Sequence, residues 1–383
     1  MLFQEKITTT ASHFQNNDIS LGYRSLIDCV LDTQHLPFYK EIIQLTEWKE
    51  SAAYSENELH ERVTQLLGHI SEFPVNESGN NEVLIETTAI KKRYGNQKFA
   101  IGPISISIKA GEVWGLVGEN GNGKTTLLRI LAKDLSYNEG ELSVAFEEEA
   151  IDEYDLRTKL TYIPQRTPKW FGSLKSNLKF TAAHYGIKGE ENELLVLMMI
   201  IRFGLWNFRN HQWSELSSGY KMRFELARTF LRAPKILLLD EPLANLDVMA
   251  QQLILEDLKS LSQSISNPIG IVLSSQQLFE VEKIADQVLF LSNGSPTFMH
   301  EITEKETRIT TVIELEVTCE RPQLTAALSD LVISELSFNG GVYMVTIEGE
   351  NQMHALMSTL VAHAIEVKYI RNISHSTRRL FLK

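Results

Sequence analysis

The stretch GLVGENGNGKTTLL, residues 115–128, decides the fold. Four glycines fall within nine residues, and Lys124-Thr125-Thr126 follow at once. Glycine loses more backbone freedom on folding than any other residue, so this density marks a place that needs bare backbone. Gly118-x4-Gly123-Lys124-Thr125 matches a phosphate-binding loop set between a strand and a helix. EVWGLV (112–117) supplies the strand, and TTLLRILAKDL (125–135) the helix. With no side chains in the way, backbone N–H groups approach phosphate oxygens, and the helix N-terminus adds partial positive charge. Gly118, Glu119, Asn120, Gly121, Asn122, Gly123, Lys124, Thr125 and Thr126 therefore form the candidate nucleotide cradle. Lys124 is expected to reach the β- and γ-phosphates, and the Thr125 hydroxyl to ligate Mg²⁺.

A second stretch, KILLLDEP (235–242), reads as a strand buried on both faces that ends in two carboxylates. Asp240 is the candidate to hold Mg²⁺ through water, and Glu241 the candidate general base for the attacking water. Alone, an acidic strand end is a weak signal. Downstream of the phosphate-binding loop it is a strong one.

Working outward, 383 residues suggest about two to three domains. Short apolar strands alternate with helices from 83 to about 300: VLIETT (83–88), KLTYI (159–163), IGIVLSS (269–275) and QVLFLS (287–292) join the two strands above. Before them, YRSLIDCVLDT and ELHERVTQLLGHI carry apolar residues at helical spacing, and EFPVNESGNNE (72–82) reads as a linker. After about 308, TTVIELEVT, RPQLTAALSDL, a hairpin turning at Asn339-Gly340-Gly341, NQMHALMSTLVAH and IEVKYI follow in the order β-α-β-β-α-β. That order predicts a small ferredoxin-like domain. The expected division is a helical extension (1–78), an ATP-binding unit (79–304) and a C-terminal α+β domain (305–383).

The net charge of −12 argues against a broad nucleic-acid surface, so no nucleic-acid partner is expected. The two cysteines, Cys29 and Cys319, form no disulfide framework or zinc pattern. The N-terminus lacks the basic and apolar regions of a signal peptide. LLVLMMII (194–201) is stopped by Arg202, well short of the roughly 20 residues a membrane span needs.

Taken together, residues 83–294 resemble the ATP-binding-cassette (ABC) ATPases. YIPQRTP resembles the family's glutamine loop, LSSGYKMRFELART its signature, and NLD (245–247) the loop after the Walker B strand. The resemblance implies a P-loop NTPase cassette: an α/β fold with a mixed sheet core and a helical subdomain. It implies that Tyr94 in KKRYGN, with Phe99 as the alternative, stacks on adenine. It also implies that Gln165 contacts Mg²⁺ and reports nucleotide state to a membrane partner. Ser217, Ser218 and Gly219 would bind the γ-phosphate held by a second subunit, with Asp247 nearby. A serine and free N–H groups at a helix start suit an anion. The aromatics Trp170, Phe171, Tyr185, Trp206 and Phe208, between the glutamine loop and the signature, are candidates to line a groove for the membrane partner. NISHSTRRLFLK (372–383) resembles the tail of exporter-type members with separately encoded permeases.

Two departures stand out. Ser218 and Tyr220 replace the usual glycine and glutamine of the signature. Gln276 stands where the family has a γ-phosphate-contacting histidine, and glutamine can donate a hydrogen bond but carries no charge. With Glu241 retained, the expectation is a working but slow ATPase in which Glu241, Lys124 and Gln276 act on ATP. The implied partners are a membrane-spanning permease and a second copy of this chain or a related ATPase subunit, at the inner face of the cell membrane. The alternatives are a soluble non-transport ABC ATPase and a weakly hydrolysing regulator.

Overall fold

The computed structural model describes residues 2–79, 82–95, 99–147, 152–301, 310–339, 341–349 and 351–374. Residues 1–276 with 289–298 form one compact unit, and 277–288 with 299–383 a second.

The first unit begins with α1 (Phe3–Gln15), α2 (Ile19–Thr33), α3 (Leu36–Lys49) and α4 (Glu56–Ser71). Leu26, Ile27, Val30, Ile42, Leu59, Val63 and Ile70 recur at helical spacing and are all but inaccessible. Full burial of each such side chain contributes about 1.5–3 kcal/mol. Pro37 sits in the first turn of α3, where its missing N–H costs nothing. Beyond α4 the expected linker is tied down. Ser78 N–H donates to the Ile265 carbonyl (2.9 Å), and the Ser78 hydroxyl to that of Ser266 (2.9 Å).

The chain then enters β1 (Val83–Tyr94) and β2 (Phe99–Lys109), followed by β3 (Val113–Val117), α5 (Lys124–Leu131), β4 (Glu139–Val144), α6 (Glu153–Lys159) and β5 (Leu160–Ile163). Next come α7 (Leu174–His184), α8 (Gly189–Arg202), α9 (Ser218–Phe230), β6 (Ile236–Leu239), α10 (Val248–Ser262) and β7 (Gly270–Ser275). After them run α11 (Leu278–Val281), β8 (Gln287–Ser292) and β9 (Ser295–Glu301). β2, β1 and β4 make an antiparallel sheet. A second sheet runs β5-β6-β7-β3-β8-β9, with β5/β6, β6/β7 and β7/β3 parallel. The all-apolar β6, and β7, whose apolar run ends in Ser274 and Ser275, occupy its interior and are buried on both faces. The ends of β3, β6 and β7 thereby come together at one rim.

The C-terminal unit adds β10 (Thr310–Val317), α12 (Arg321–Ala327), β11 (Ile333–Asn339), β12 (Val342–Glu348), α13 (Met353–Ala362) and β13 (Val367–Asn372). The strand order β11-β12-β10-β13, antiparallel throughout, is that of the expected ferredoxin-like domain. Ile313, Leu315, Leu324, Val345, Leu356 and Leu360 form its core. The expected hairpin joins β11 to β12 with Asn339 opposite Val342; Gly340 lies outside the described residues, as does the tail from 375 onward.

Candidate functional site: a phosphate loop facing two carboxylates

The loop from Gly118 to Gly123 connects β3 to α5, the strand-to-helix context expected from the sequence. Gly123 caps α5 at φ 101°, a conformation that suits glycine. A Cβ on Gly118 would lie 2.4 Å from the Leu291 carbonyl oxygen, so only glycine fits. Asn122 pins the loop: its amide donates to that carbonyl (3.2 Å) and accepts from Asn293 N–H (3.1 Å). Glu119 and Asn120 are exposed at the loop's tip.

Lys124 is 4% exposed, and its ammonium donates to the Gly118 carbonyl (2.7 Å) and the Glu119 carbonyl (3.2 Å). It also lies 3.4 Å from Glu241 Oε1. Its charge therefore sits over the loop's mouth. Thr125 Oγ1 donates to Asp240 Oδ2 (2.8 Å), which joins the first turn of α5 to the end of β6 across 115 positions of sequence.

Two groups that the sequence reading did not single out complete the surroundings of Asp240. Ser274, at the end of β7, donates to Asp240 Oδ1 (2.9 Å) and accepts from Glu241 N–H (2.9 Å). Tyr162, in β5, donates to Asp240 Oδ2 (3.2 Å). Burial, then the neighbouring Asp240, pushes the Tyr162 hydroxyl well above the usual tyrosine range, so it remains a donor. The signal available was a serine ending the apolar run IGIVLSS.

Glu241 lies just past the strand at φ 47°, a left-handed conformation. Its carboxylate accepts from the Gln165 amide (2.8 Å to Oε2) and from the Gln276 amide (3.1 Å to each oxygen). Gln165, Gln276, Lys124 and Glu241 thus converge, although they come from four separate stretches of chain.

Tyr94 ends β1 with 41% of its surface exposed, its hydroxyl 3.3 Å from Thr126 Oγ1 in the first turn of α5. Phe99 stands opposite it in the strand pairing. The signature residues open α9. Ser217 is its N-cap and accepts from Tyr220 N–H, and Ser218 donates to the Asn245 carbonyl (2.9 Å). Ser218 is not at positive φ, so serine is tolerated where the family usually has glycine. Gly219 packs against Ala250, and the Tyr220 ring meets that of Phe208 at a tilt of 41° (4.1 Å between ring centres). Asp247 caps α10 by accepting from Ala250 N–H (2.9 Å).

Most of the aromatics expected to line a groove are engaged in packing. Trp170 donates to the buried Glu225 (2.6 Å), Tyr185 lies against Arg232 and Tyr154, and Trp206 against Arg209. Phe171 alone of that set is bare, at 89% exposure, with Phe180 on α7 at 71%.

A family model described as ABC transporter matches residues 101–244. The Nod factor export ATP-binding protein I of Burkholderia thailandensis is 30% identical over 239 residues, covering 62% of this chain and 74% of the relative. The chain belongs to the ATP-binding subunits of ABC transporters, a family of ATPases. Another ABC relative, the phosphonates import ATP-binding protein PhnC of Treponema denticola, is 28% identical and covers 56% of this chain and 89% of its own length. Names of both export and import proteins thus occur among the relatives. The solved structure of cbiO1 from Clostridium perfringens, part of the ABC transporter complex cbiONQ, shares the cassette fold. The likeness has a TM-score of 0.53 at 23% identity and covers 57% of this chain and 89% of that one. Among the described residues no helix is long and apolar enough to cross a membrane.

Proposed function

We propose that this chain is the ATP-hydrolysing subunit of an ABC-type membrane transporter and works as a head-to-tail dimer on a separate permease. The carrying observation is the convergence of Lys124, Gln165, Gln276 and Glu241 beside Asp240. In this reading Lys124 and the loop N–H groups hold the β- and γ-phosphates, and Tyr94 stacks on the base. Glu241, oriented by the two glutamine amides, takes a proton from the attacking water. Ser217, Ser218 and Gly219 meet the γ-phosphate of the other protomer, with Asp247 beside them. The division into extension (1–78), cassette (79–304) and α+β domain (305–383) belongs to the same reading.

Thr125, Asp240 and Gln165 present a hydroxyl, a carboxylate and an amide oxygen, a hard-oxygen set that fits Mg²⁺. The Gln165 amide nitrogen is committed to Glu241, which leaves its carbonyl oxygen for the metal. Bound Mg²⁺ supplies neutralisation of phosphate charge. Export is the direction we carry forward, supported by the resemblance of residues 372–383 to exporter-type tails. Membrane attachment at the inner face then comes through the permease.

The first test is Glu241→Gln. It should bind ATP and form a dimer on gel filtration with ATP and Mg²⁺; persistent monomer would sink the shared-site reading. Pull-down of this variant from detergent extracts should recover a multi-span membrane protein, and ribosomal or chromosomal partners alone would favour a soluble ABC ATPase. A regulator with little turnover has one observation in its favour, the uncharged Gln276. Gln276→His should raise kcat about tenfold if this position limits hydrolysis. Unchanged turnover would mean Glu241 suffices.

A further inference from the structure

The N-terminal helices lie outside the family match at 101–244, yet α2 sends two carboxylates into the cassette. Asp28 and Asp32 are four residues apart, on one helix face, and both are buried. Asp28 accepts from Arg202 Nε and Nη2 and from the Ser260 hydroxyl (2.5 Å). Arg202 ends α8, is 3% exposed, and gives its other arm to Asp257 on α10 (2.6 Å). Burial opposes its charge, but Asp28 and Asp257 outweigh that and hold its pKa above the ordinary value. Asp32 accepts from Ser264 Oγ (2.8 Å), Ile265 N–H (3.0 Å) and Ser266 N–H (3.2 Å), in the turn that follows α10. Arg24, also on α2, pairs with Glu256 on α10 (2.8 Å), and Lys40 on α3 with Glu190 at the start of α8 (2.7 Å).

The other side of this knot is the signature. Phe203, the neighbour of Arg202, packs on Phe230 at the end of α9. Phe208 packs, tilted, against Tyr220 in the first turn of α9. Ser218 bonds the Asn245 carbonyl, and Gly219 abuts Ala250 on α10. α9 is therefore located by α8 and α10, and Arg202 is the charged link between those two. A buried guanidinium that loses a partner is strongly destabilised, so the link is rigid only while α2 supplies Asp28.

We propose that helix α2 positions the signature. Asp28, acting through Arg202, holds α8 against α10 and so presents Ser217, Ser218 and Gly219 in the geometry that a second protomer's ATP requires. The inference rests on the shared-site ATPase reading above. It makes the N-terminal helices part of the ATPase machinery and Asp28 a positioning residue.

A brace that serves stability alone would not separate nucleotide binding from turnover. In the 383-residue chain, Asp28→Asn removes the charge and keeps the shape. A fluorescent ATP analogue reads affinity for the P-loop, and steady-state hydrolysis reads kcat. Gel filtration in the Glu241→Gln background reads ATP-dependent dimerisation. The expected result is affinity within about twofold of wild type, with kcat and dimerisation each lowered about tenfold or more. Unchanged kcat and dimerisation overturn the proposal. A parallel fall of affinity and kcat with melting temperature also overturns it, because that is the mark of general loosening. If Asp28→Asn fails to melt cooperatively, Arg24→Gln carries the test, since its side chain is 28% exposed. The same split is then expected at about three- to fivefold, and no split overturns the proposal. A wild-type chain without turnover would bring down the ATPase reading itself. Wild-type turnover with an unaltered Asp28→Asn would bring down only the role of α2.

Discussion

At the scale of single residues, the site is built around a carboxylate held by three hydroxyl donors. Asp240 accepts from Thr125, Tyr162 and Ser274, and the same Ser274 hydroxyl accepts from Glu241 N–H. Glu241 needs that anchor, because a non-glycine residue at φ 47° costs on the order of 1–3 kcal/mol. Ser274→Ala would strand a buried carboxylate oxygen and a peptide N–H. We expect a loss of about 1–3 kcal/mol in a urea melt. We also expect about a tenfold lower kcat with ATP affinity kept. Normal kcat in the folded variant would rule out the anchoring role. Lys124, Asp240 and Glu241 were readable from sequence because their motifs are contiguous. Ser274 and Tyr162 were not, since a lone serine or tyrosine in an apolar strand has many uses.

At the scale of elements, short side chains set where the site helices begin. Asp247 starts α10 by accepting from Ala250 N–H, and Ser217 starts α9. Each cap satisfies one of the N–H groups that a helix leaves orphaned in its first turn. Asp247→Ala should cost about 1 kcal/mol in thermal unfolding, the usual worth of such a cap. An unchanged melting temperature would mean that water replaces the carboxylate. The apolar stripe of α2 was legible as Leu26, Ile27, Val30 and Leu31. Its acidic stripe, Asp28 and Asp32, was not. Both acids find partners more than 170 positions away, and helical periodicity carries no information about such partners. Arg202, which ends the apolar run of α8 in the sequence, is the buried charged residue of that helix in the fold.

At the scale of the whole chain, buried titratable groups predict how stability responds to alkali. Burial raises the Cys29 thiol from 9.0 to about 11. It also raises the hydroxyls of Tyr23 and Tyr39 from 10.0 to about 12. Each is protonated more firmly in the folded state than in the unfolded one. Their contribution is therefore complete below pH 9 and is lost as pH rises from about 9 through 12. Urea midpoints should hold steady from pH 7 to 9 and fall beyond. A flat profile to pH 11 would mean these groups reach solvent when folded. In the C-terminal unit, the β-α-β-β-α-β order was legible from alternation and turn residues. The sheet order β11-β12-β10-β13 follows once each helix covers one face.

By itself the sequence determined the cassette. The glycine-rich loop, the acidic strand end and the signature are local patterns, each written in a few contiguous residues. Only the tertiary structure decided what surrounds them: the hydroxyl of Ser274 between Asp240 and Glu241, the two glutamine amides on Glu241, and the Asp28–Arg202–Asp257 link. The physical reason is the same in each case. A buried polar group must find a partner, and which one it finds is settled by how strands and helices pack rather than by its neighbours along the chain.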